Sequence, residues 1–226
     1  MNLRNLLDLI FPTNCFHCGE QSRNGASLCA KCFSAIPLNR KLFCGKCGAR
    51  LALNKKVCHK GFLYVLGAAT NYDGATKELV WALKFKSIKS AAEELGELLV
   101  RYAVGLNFDL KNFVVVPIPL SKKRLRERGF NQAELIARKF ASYFGLPLSI
   151  TSLSRLKHAK PQSEAKNIDE RKENVLGSFH AQGGLAGKNV ILIDDVLTSG
   201  ATMLAAAEAL KSAGVKRIIA LTVARA

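Results

Sequence analysis

The 226-residue chain is 49% hydrophobic, enough for one sizeable α/β domain and a small module, and that share excludes general disorder. No apolar run reaches the roughly 18–20 residues that a membrane helix needs, so no membrane span is expected. The net charge of +17 implies an anionic partner, whether nucleic acid, phosphorylated metabolite or acidic lipid.

The chain starts with MNLRNLLDLIF, apolar at Leu3, Leu6, Leu7 and Ile10, which is helical spacing. Asp8 interrupts the run and no small-residue cleavage site follows. The segment reads as a docking helix, not a signal peptide, and the expected compartment is cytoplasmic.

All seven cysteines lie between residues 15 and 58. That asymmetry divides the chain into a cysteine-rich module, 1–61, and a second domain, 62–226. Cys15 and Cys18, Cys29 and Cys32, and Cys44 and Cys47 are pairs with two-residue gaps, and Cys58 stands alone. Such gaps let both thiolates of a knuckle face one tetrahedral ion. In a cytosolic chain this spacing favours zinc over disulfides, and a module so short has little core without metal. Sequential pairing makes a site of Cys15, Cys18, Cys29 and Cys32, while a crossed pairing with Cys44 and Cys47 is also compatible with the spacing. A second site has three thiolates, Cys44, Cys47 and Cys58. Gly61 stands where a fourth cysteine is expected, and His59 is awkwardly placed beside Cys58 for two ligands of one ion. The second cluster is therefore either a zinc site or a metal-free ribbon, giving one or two structural zinc ions. The module also carries Arg23, Lys31, Arg40, Lys41, Lys46, Arg50, Lys55, Lys56 and Lys60, opposed only by Asp8 and Glu20. Such a surface is compatible with a phosphate backbone.

Beyond residue 60, strand-like and helical runs alternate. Strands are expected at 64–70, 113–119 (cut short by proline), 188–194 and 217–224. Helices are expected at 74–87, with Leu79, Trp81 and Leu83 apolar, and at 90–106. Two more are expected at 131–145, ending near Gly145, and at 200–214, closed by Gly214. This alternation predicts a parallel sheet covered by helices, with no fixed-period repeat apart from the cysteine pairs.

VILIDDVLTSGATM, residues 190–203, carries the most chemistry. Ligands of open α/β sheets bind at the carboxyl ends of strands, where Asp194 and Asp195 are expected. Carboxylates accept hydrogen bonds from vicinal hydroxyls, which suits a ribose diol. The following Val196, Leu197, Thr198, Ser199, Gly200, Ala201 and Thr202 turn into a helix whose N–H groups, hydroxyls and dipole favour phosphate. Gly200 would let the backbone approach the ligand closely. An acid pair beside a phosphate cradle describes a ribose-5-phosphate site.

This stretch resembles the phosphoribosyl-pyrophosphate signature of type I phosphoribosyltransferases. Together with the cysteine module, LKFKS (83–87), VPIPLSKKRLRERGFNQAELIA (116–137) and KPQSEAKNIDERKENVLGSF (160–179), it makes essentially the whole chain similar to the ComF family. The resemblance implies an N-terminal zinc ribbon joined to a type I phosphoribosyltransferase domain, a Rossmann-like parallel sheet, and an association with DNA uptake in natural competence. Gly61 departs from that pattern where the family commonly has its last cysteine. The resemblance implies that phosphoribosyl pyrophosphate binds with Mg²⁺, with Asp194 and Asp195 as catalytic groups. It places pyrophosphate at Pro119, Leu120, Ser121, Lys122 and Arg128, within a basic run that includes Lys123, Arg124 and Arg126, and makes Asn131 a helix cap. It assigns 155–174 to a closing loop, with Arg155, Lys160, Gln162, Arg171 and Asn174 matching the family pattern. The acceptor is unassigned. The alternative is a non-catalytic phosphoribosyl pyrophosphate sensor that binds single-stranded DNA. With few rings among the basic residues, that binding is expected mainly through phosphates. Phe16, Phe33 and Phe43 are candidates for base stacking, although core packing round the metal is the more usual fate of each.

Overall fold

Runs of Val, Ile, Leu and Ala that are apolar on both faces pair side by side here, as strands buried between two layers do. The computed structural model describes residues 13–22, 25–51, 58–59, 61–156 and 177–226. The first segment of the chain, expected to be a docking helix, lies outside them.

Strand β1 (Phe43–Cys44) belongs to the cysteine module, and β2 is Val65–Asn71. Two helices follow, α2 (Gly74–Phe85) and α3 (Ser90–Gly105); the short α1 (Ala30–Ser34) precedes β1. Then come β3 (Phe113–Pro117), α4 (Lys122–Arg128) and α5 (Gln132–Phe144). A hairpin of β4 (Leu153–Arg155) and β5 (Phe179–Ala181) is followed by β6 (Asn189–Leu197), α6 (Ala201–Ser212) and β7 (Arg217–Arg225). The main sheet has the order β1-β2-β7-β6-β3. Its last four strands run parallel and β1 joins antiparallel, as expected for an α/β sheet of the type I phosphoribosyltransferase kind.

Strand alternation divides the core in two. Ile191 and Ile193 of β6 pack with Leu79, Leu95 and Phe140 from α2, α3 and α5. Val190 and Leu192 point to the other face, against Met203 and Leu210 of α6 and Leu153 and Phe179 of the hairpin. Capping follows local chemistry. Ser121 Oγ accepts from Arg124 N–H at 3.3 Å, and Asn131 Oδ1 accepts from Ala133 N–H at 3.1 Å, as expected of Asn131. Gly145 ends α5 in the left-handed region, φ 62°.

The long elements lie where periodicity puts them, with two differences. Trp81 was read with the apolar positions of α2, yet it is 44% exposed, while Leu79 and Leu83 are buried. Strand β6 does not stop at Asp194 but continues to Leu197, because its β7 edge stays paired as far as Leu197↔Arg225.

The cysteine module is built into the sheet. Besides β1, the N–H groups of Ser27 and Leu28 donate to the Glu94 carboxylate on α3 at 2.8 and 3.0 Å. Tyr102 Oη donates to the Lys41 carbonyl at 2.7 Å, and Arg225 donates to the Gly48 carbonyl at 3.0 Å. Among the described residues no helix is long and apolar enough to cross a membrane.

Candidate functional site at the open end of β6

The two edges of β6 end at different places. On the β3 side the pairing stops at Pro117↔Ile193, closed by the Ile118 N–H donating to the Ile193 carbonyl at 2.8 Å. Asp194 and Asp195 therefore leave the sheet on one edge while the strand continues on the other. The acid pair sits at the rim of the crevice between the β3–α4 connection and the end of β6, not at the strand tip.

Alternation then aims the two carboxylates at opposite layers. Asp195, buried and in phase with Ile193, faces α2, where Lys84 Nζ lies 2.8 Å from its Oδ1. Asp194, half-buried and in phase with Leu192, faces the hairpin side. Each carboxylate is held by the next backbone group: Asp194 Oδ1 accepts from Asp195 N–H at 2.8 Å, and Asp195 Oδ1 accepts from Val196 N–H at 2.6 Å. Burial pushes the Asp194 carboxyl up, and the Asp195 charge adds to it, reaching about 7; the Asp195 N–H, Lys84 and Arg155 oppose the rise.

Basic side chains gather round this pair. Burial lowers Arg128, helped by neighbouring Arg124 and opposed by the Asp195 charge. Arg155, on β4, is lowered by burial and then by Arg124, and opposed by Asp194. Arg128, Arg155 and Lys84 thus share the electrostatic neighbourhood of the two aspartates, with Arg124 next to the two arginines. Arg128 and Arg155 were expected there. Lys84, inside LKFKS, had no assigned role, because nothing local reveals that α2 crosses the end of β6. Pro119 and Leu120 form the connection after β3, and Ser121 and Lys122 begin α4 as its cap and first residue. Lys160, Gln162, Arg171 and Asn174 lie outside the described residues.

Beyond Leu197, Thr198 and Ser199 are exposed, and Gly200 is the N-cap of α6 with φ 77° and no side-chain cap bond. Ser199 Oγ accepts from the Ala201 N–H at 3.4 Å, while the glycine N-cap supplies no acceptor for the N–H groups of Thr202 and Met203 beside the acid pair. A Cβ at Gly200 would meet only Leu197 Cδ1, at 3.9 Å. The left-handed φ, more than any crowding within the protein, calls for glycine at this position.

A cleft of about 1010 Å³ lies elsewhere, where Asn112, Phe113, Lys188 and Asn189 mark the amino ends of β3 and β6. It has no paired carboxylates and no helix start at an acid pair. Chemistry, and not size, identifies the ligand site.

A patch of exposed rings adjoins the crevice. On α2, Trp81 and the 67% exposed Phe85 lie one turn apart, with ring centroids separated by 6.4 Å. Lys86 Nζ stands 4.7 Å from the Trp81 centroid, and Arg128 Cζ stands 6.0 Å from that of Phe85. The expectation that few rings lie among the basic residues does not hold here. Of the rings expected to stack, Phe43 is buried and Phe16 and Phe33 pack against the core.

The cysteines gather into two clusters. Cys15, Cys18, Cys29 and Cys32 form one, and Cys44, Cys47, Cys58 and His59 the other, with the donor atoms of each within 4.8 Å of one another. The pairing is sequential, not crossed. Four thiolates at such spacing fit zinc. Burial would raise the Cys15 thiol, but the backbone N–H groups of Cys18, Cys29 and His17 outweigh it and bring it to about 6. In the second cluster burial again raises Cys44, and the Cys47 backbone together with Cys58 and His59 brings it to about 6. His59 Nδ1 is 3.4 Å from Cys44 Sγ and 3.3 Å from Cys58 Sγ, so adjacency to Cys58 does not keep it out of the cluster.

Residues 92–226 match the family model for the phosphoribosyl transferase domain, and residues 6–60 that for the double zinc ribbon domain. Competence protein ComFC of Bacillus subtilis is 43% identical over 105 residues, covering 46% of this chain and 40% of that protein. Competence protein F of Haemophilus influenzae is 26% identical over 218 residues, 94% of this chain and 84% of its own. Competence protein ComFC of Streptococcus pneumoniae is 30% identical over 174 residues, 74% of this chain and 71% of its own.

Proposed function

This chain belongs to the phosphoribosyl transferase domain family, in its ComF branch with an N-terminal double zinc ribbon, and on that premise we propose that it binds phosphoribosyl pyrophosphate with Mg²⁺ in the service of DNA uptake during natural competence. The observation that carries the ligand assignment is the junction of β6 and α6. Two successive carboxylates stand where the β3 edge of β6 has ended, beside a helix whose N-cap is a glycine with no side chain of its own to cap it.

The roles follow from the chemistry of each group. Asp194 and Asp195 accept hydrogen bonds from the ribose diol. Residues 198–202 and the start of α6 receive the 5-phosphate. Residues 119–122 with Arg128 and Arg155 face the pyrophosphate, whose negative charge their cations balance. Mg²⁺ supplies neutralisation of the leaving group, and phosphate oxygens with few protein ligands suit so hard a cation. As the anomeric bond to pyrophosphate breaks, cationic character builds on the ribose, and carboxylates already held by backbone N–H groups stabilise it without reorganising. The competence names of the relatives support the biological setting.

Calorimetry with phosphoribosyl pyrophosphate and Mg²⁺ tests the reading. The wild-type chain is expected to bind, and the Asp194→Asn/Asp195→Asn variant to lose at least tenfold in affinity with its fold intact. Equal binding by the two proteins refutes the assignment.

One observation favours a second reading, in which the site senses phosphoribosyl pyrophosphate and the protein holds single-stranded DNA. Trp81 and Phe85 are exposed, flanked by Lys86 and Arg128, and lie one helical turn apart. Stacked bases over rings with cations along the backbone are how single strands are held without sequence preference. Pyrophosphate release that depends on an added acceptor supports turnover. Binding without release supports the sensor.

A further inference from the structure

We propose that His59 Nδ1 is the fourth ligand of a second zinc site, completing Cys44, Cys47 and Cys58 in a chain whose Gly61 offers no donor. The proposal rests on the cysteine module alone and is independent of the ribose-phosphate reading.

The two clusters are built by the same loop used twice. In the first, Cys15 N–H donates to the Glu20 carbonyl at 2.7 Å and Gly19 N–H to the Cys15 carbonyl at 2.9 Å. In the second, Cys44 N–H donates to the Ala49 carbonyl at 2.9 Å and Gly48 N–H to the Cys44 carbonyl at 2.8 Å. The glycine after each second cysteine is left-handed, φ 77° at Gly19 and 68° at Gly48. The outer thiolates approach alike: Cys18 and Cys29 Sγ are 3.7 Å apart, and Cys47 and Cys58 Sγ 3.5 Å, each pair 11 residues apart in the chain. By this correspondence Cys44, Cys47 and Cys58 are ligands for the same reason as Cys15, Cys18 and Cys29.

The correspondence breaks at one position, where Gly61 stands in the place of Cys32. Here the backbone also differs. After Cys29 the chain forms α1, with Phe33 N–H donating to the Cys29 carbonyl at 3.0 Å. After Cys58 a tighter turn brings Phe62 N–H to the His59 carbonyl at 3.3 Å, and Gly61 is left-handed, φ 80°. That turn brings the imidazole inward, with Nδ1 among the three thiolates. Nδ1 is the ring nitrogen nearer the backbone, with a reach only one bond longer than that of a thiolate, so it suits a ligand directly after another ligand. A tetrahedral Cys₃His set is an ordinary structural zinc site. With one imidazole in place of a thiolate, this zinc carries one negative charge fewer than its neighbour.

Elemental analysis and metal substitution on the full chain test this. The wild-type protein is expected to hold two equivalents of zinc. Loaded with ¹¹³Cd and ¹⁵N-histidine, it should give two cadmium resonances, the upfield one split by a histidine nitrogen. His59→Ala should lose that splitting and about one equivalent of zinc under a competing chelator. His59→Ala/Gly61→Cys should regain zinc at the second site, with both resonances in the all-thiolate range: a Cβ at Gly61 meets nothing within 4 Å, and metal binding offsets the strain of a non-glycine residue at φ 80°. A single zinc equivalent in the wild-type protein, a wild-type cadmium spectrum without nitrogen coupling, or a His59→Ala variant with both metals and an unchanged spectrum overturns the proposal. The wild-type cadmium spectrum decides the matter even if the single variant does not fold.

Discussion

Replacing Asp194 by Asn should stabilise the ligand-free protein, and more so as pH rises. The Asp194 carboxyl is raised from its ordinary 3.8 to about 7 by burial and by Asp195. A folded-state value above the unfolded one means that the folded protein binds the extra proton between those limits. Stability is therefore full below about pH 4 and falls as pH climbs to about 7. A rise of about three units corresponds to roughly 4 kcal/mol at about 1.4 kcal/mol per unit. Asp194 keeps part of its surface in water, and screening lowers the figure to about 2 kcal/mol. Asn occupies the same space, its carbonyl oxygen can still accept the Asp195 N–H, and it does not ionise. For a chain of this size about 2 kcal/mol corresponds to roughly 4–8 °C in Tm. Thermal unfolding of both proteins without ligand, followed by circular dichroism from about pH 5.5 to 8, measures it. The gap should be largest at the alkaline end and shrink towards the acid end. A variant less stable than wild type at about pH 8, or a gap constant across the range, refutes the reasoning. A stabilised variant that has also lost its ligand would identify the carboxylate as kept for binding at the expense of stability.

Lys84→Met removes the cation paired with the buried Asp195 carboxylate at 2.8 Å. With Lys84 opposing the rise of Asp194, its removal should move the Asp194 titration seen by carbonyl NMR to higher pH. Gly200→Ala meets no crowding but forces a non-glycine residue into the left-handed region; it should cost about 1 kcal/mol in chemical denaturation and weaken phosphoribosyl pyrophosphate binding in calorimetry. Fluorescence anisotropy should show single-stranded DNA binding that weakens steeply with salt, about −0.7 in log–log slope per neutralised phosphate. Trp81→Ala/Phe85→Ala should weaken that binding tenfold or more at fixed salt, without changing the slope, because rings stack and do not neutralise phosphates. Glu94→Gln keeps the shape of the acceptor for Ser27 and Leu28 but removes its charge, and should lower Tm by a few degrees as those two bonds lose their ionic partner.

Much of the frame was legible because it is local. The branched aliphatic run 190–193 could hardly be anything but the middle of a buried strand. Gly145 and Gly214 mark helix ends by a preference that depends only on their own backbone. The acid pair and the phosphate turn were legible as chemistry for the same reason, being contiguous. What sequence did not reveal was set by residues far apart in the chain. Asp195 leaves the sheet on one edge because β3, made far earlier in the chain, pairs only as far as Ile193. Lys84 reaches it because α2 crosses the end of β6. Trp81 is apolar but stands two residues from both Leu79 and Leu83, about 200° round the helix, so the period that buries those two turns it outward, and apolarity alone misplaces it. The hairpin of β4 and β5 has three residues in each strand, too few to show a period. His59 was discounted on adjacency, an argument about spacing that the turn at Gly61 overrules.

The position of β7 has a consequence for how the molecule is made. It is the latest strand in chain order, yet it lies between β2 and β6 and bonds to both. A ribosome delivers β2 early and β6 late, and neither can join the other until residues 217–225 have emerged. Through most of translation, the apolar edge of β2 has only β1 for a partner, while the cysteine loops, whose ligands are close in sequence, can already take metal. Vectorial synthesis thus gives an early metal-organised nucleus and a sheet that closes late, around its most recently made strand. Pairings between strands so distant in sequence are slow to form, and the waiting surface is open to chaperones and to misassembly. Deleting residues 217–226 would remove the middle of the sheet, not its margin, so nascent chains stalled before that point should be far more protease-sensitive than those stalled well after it.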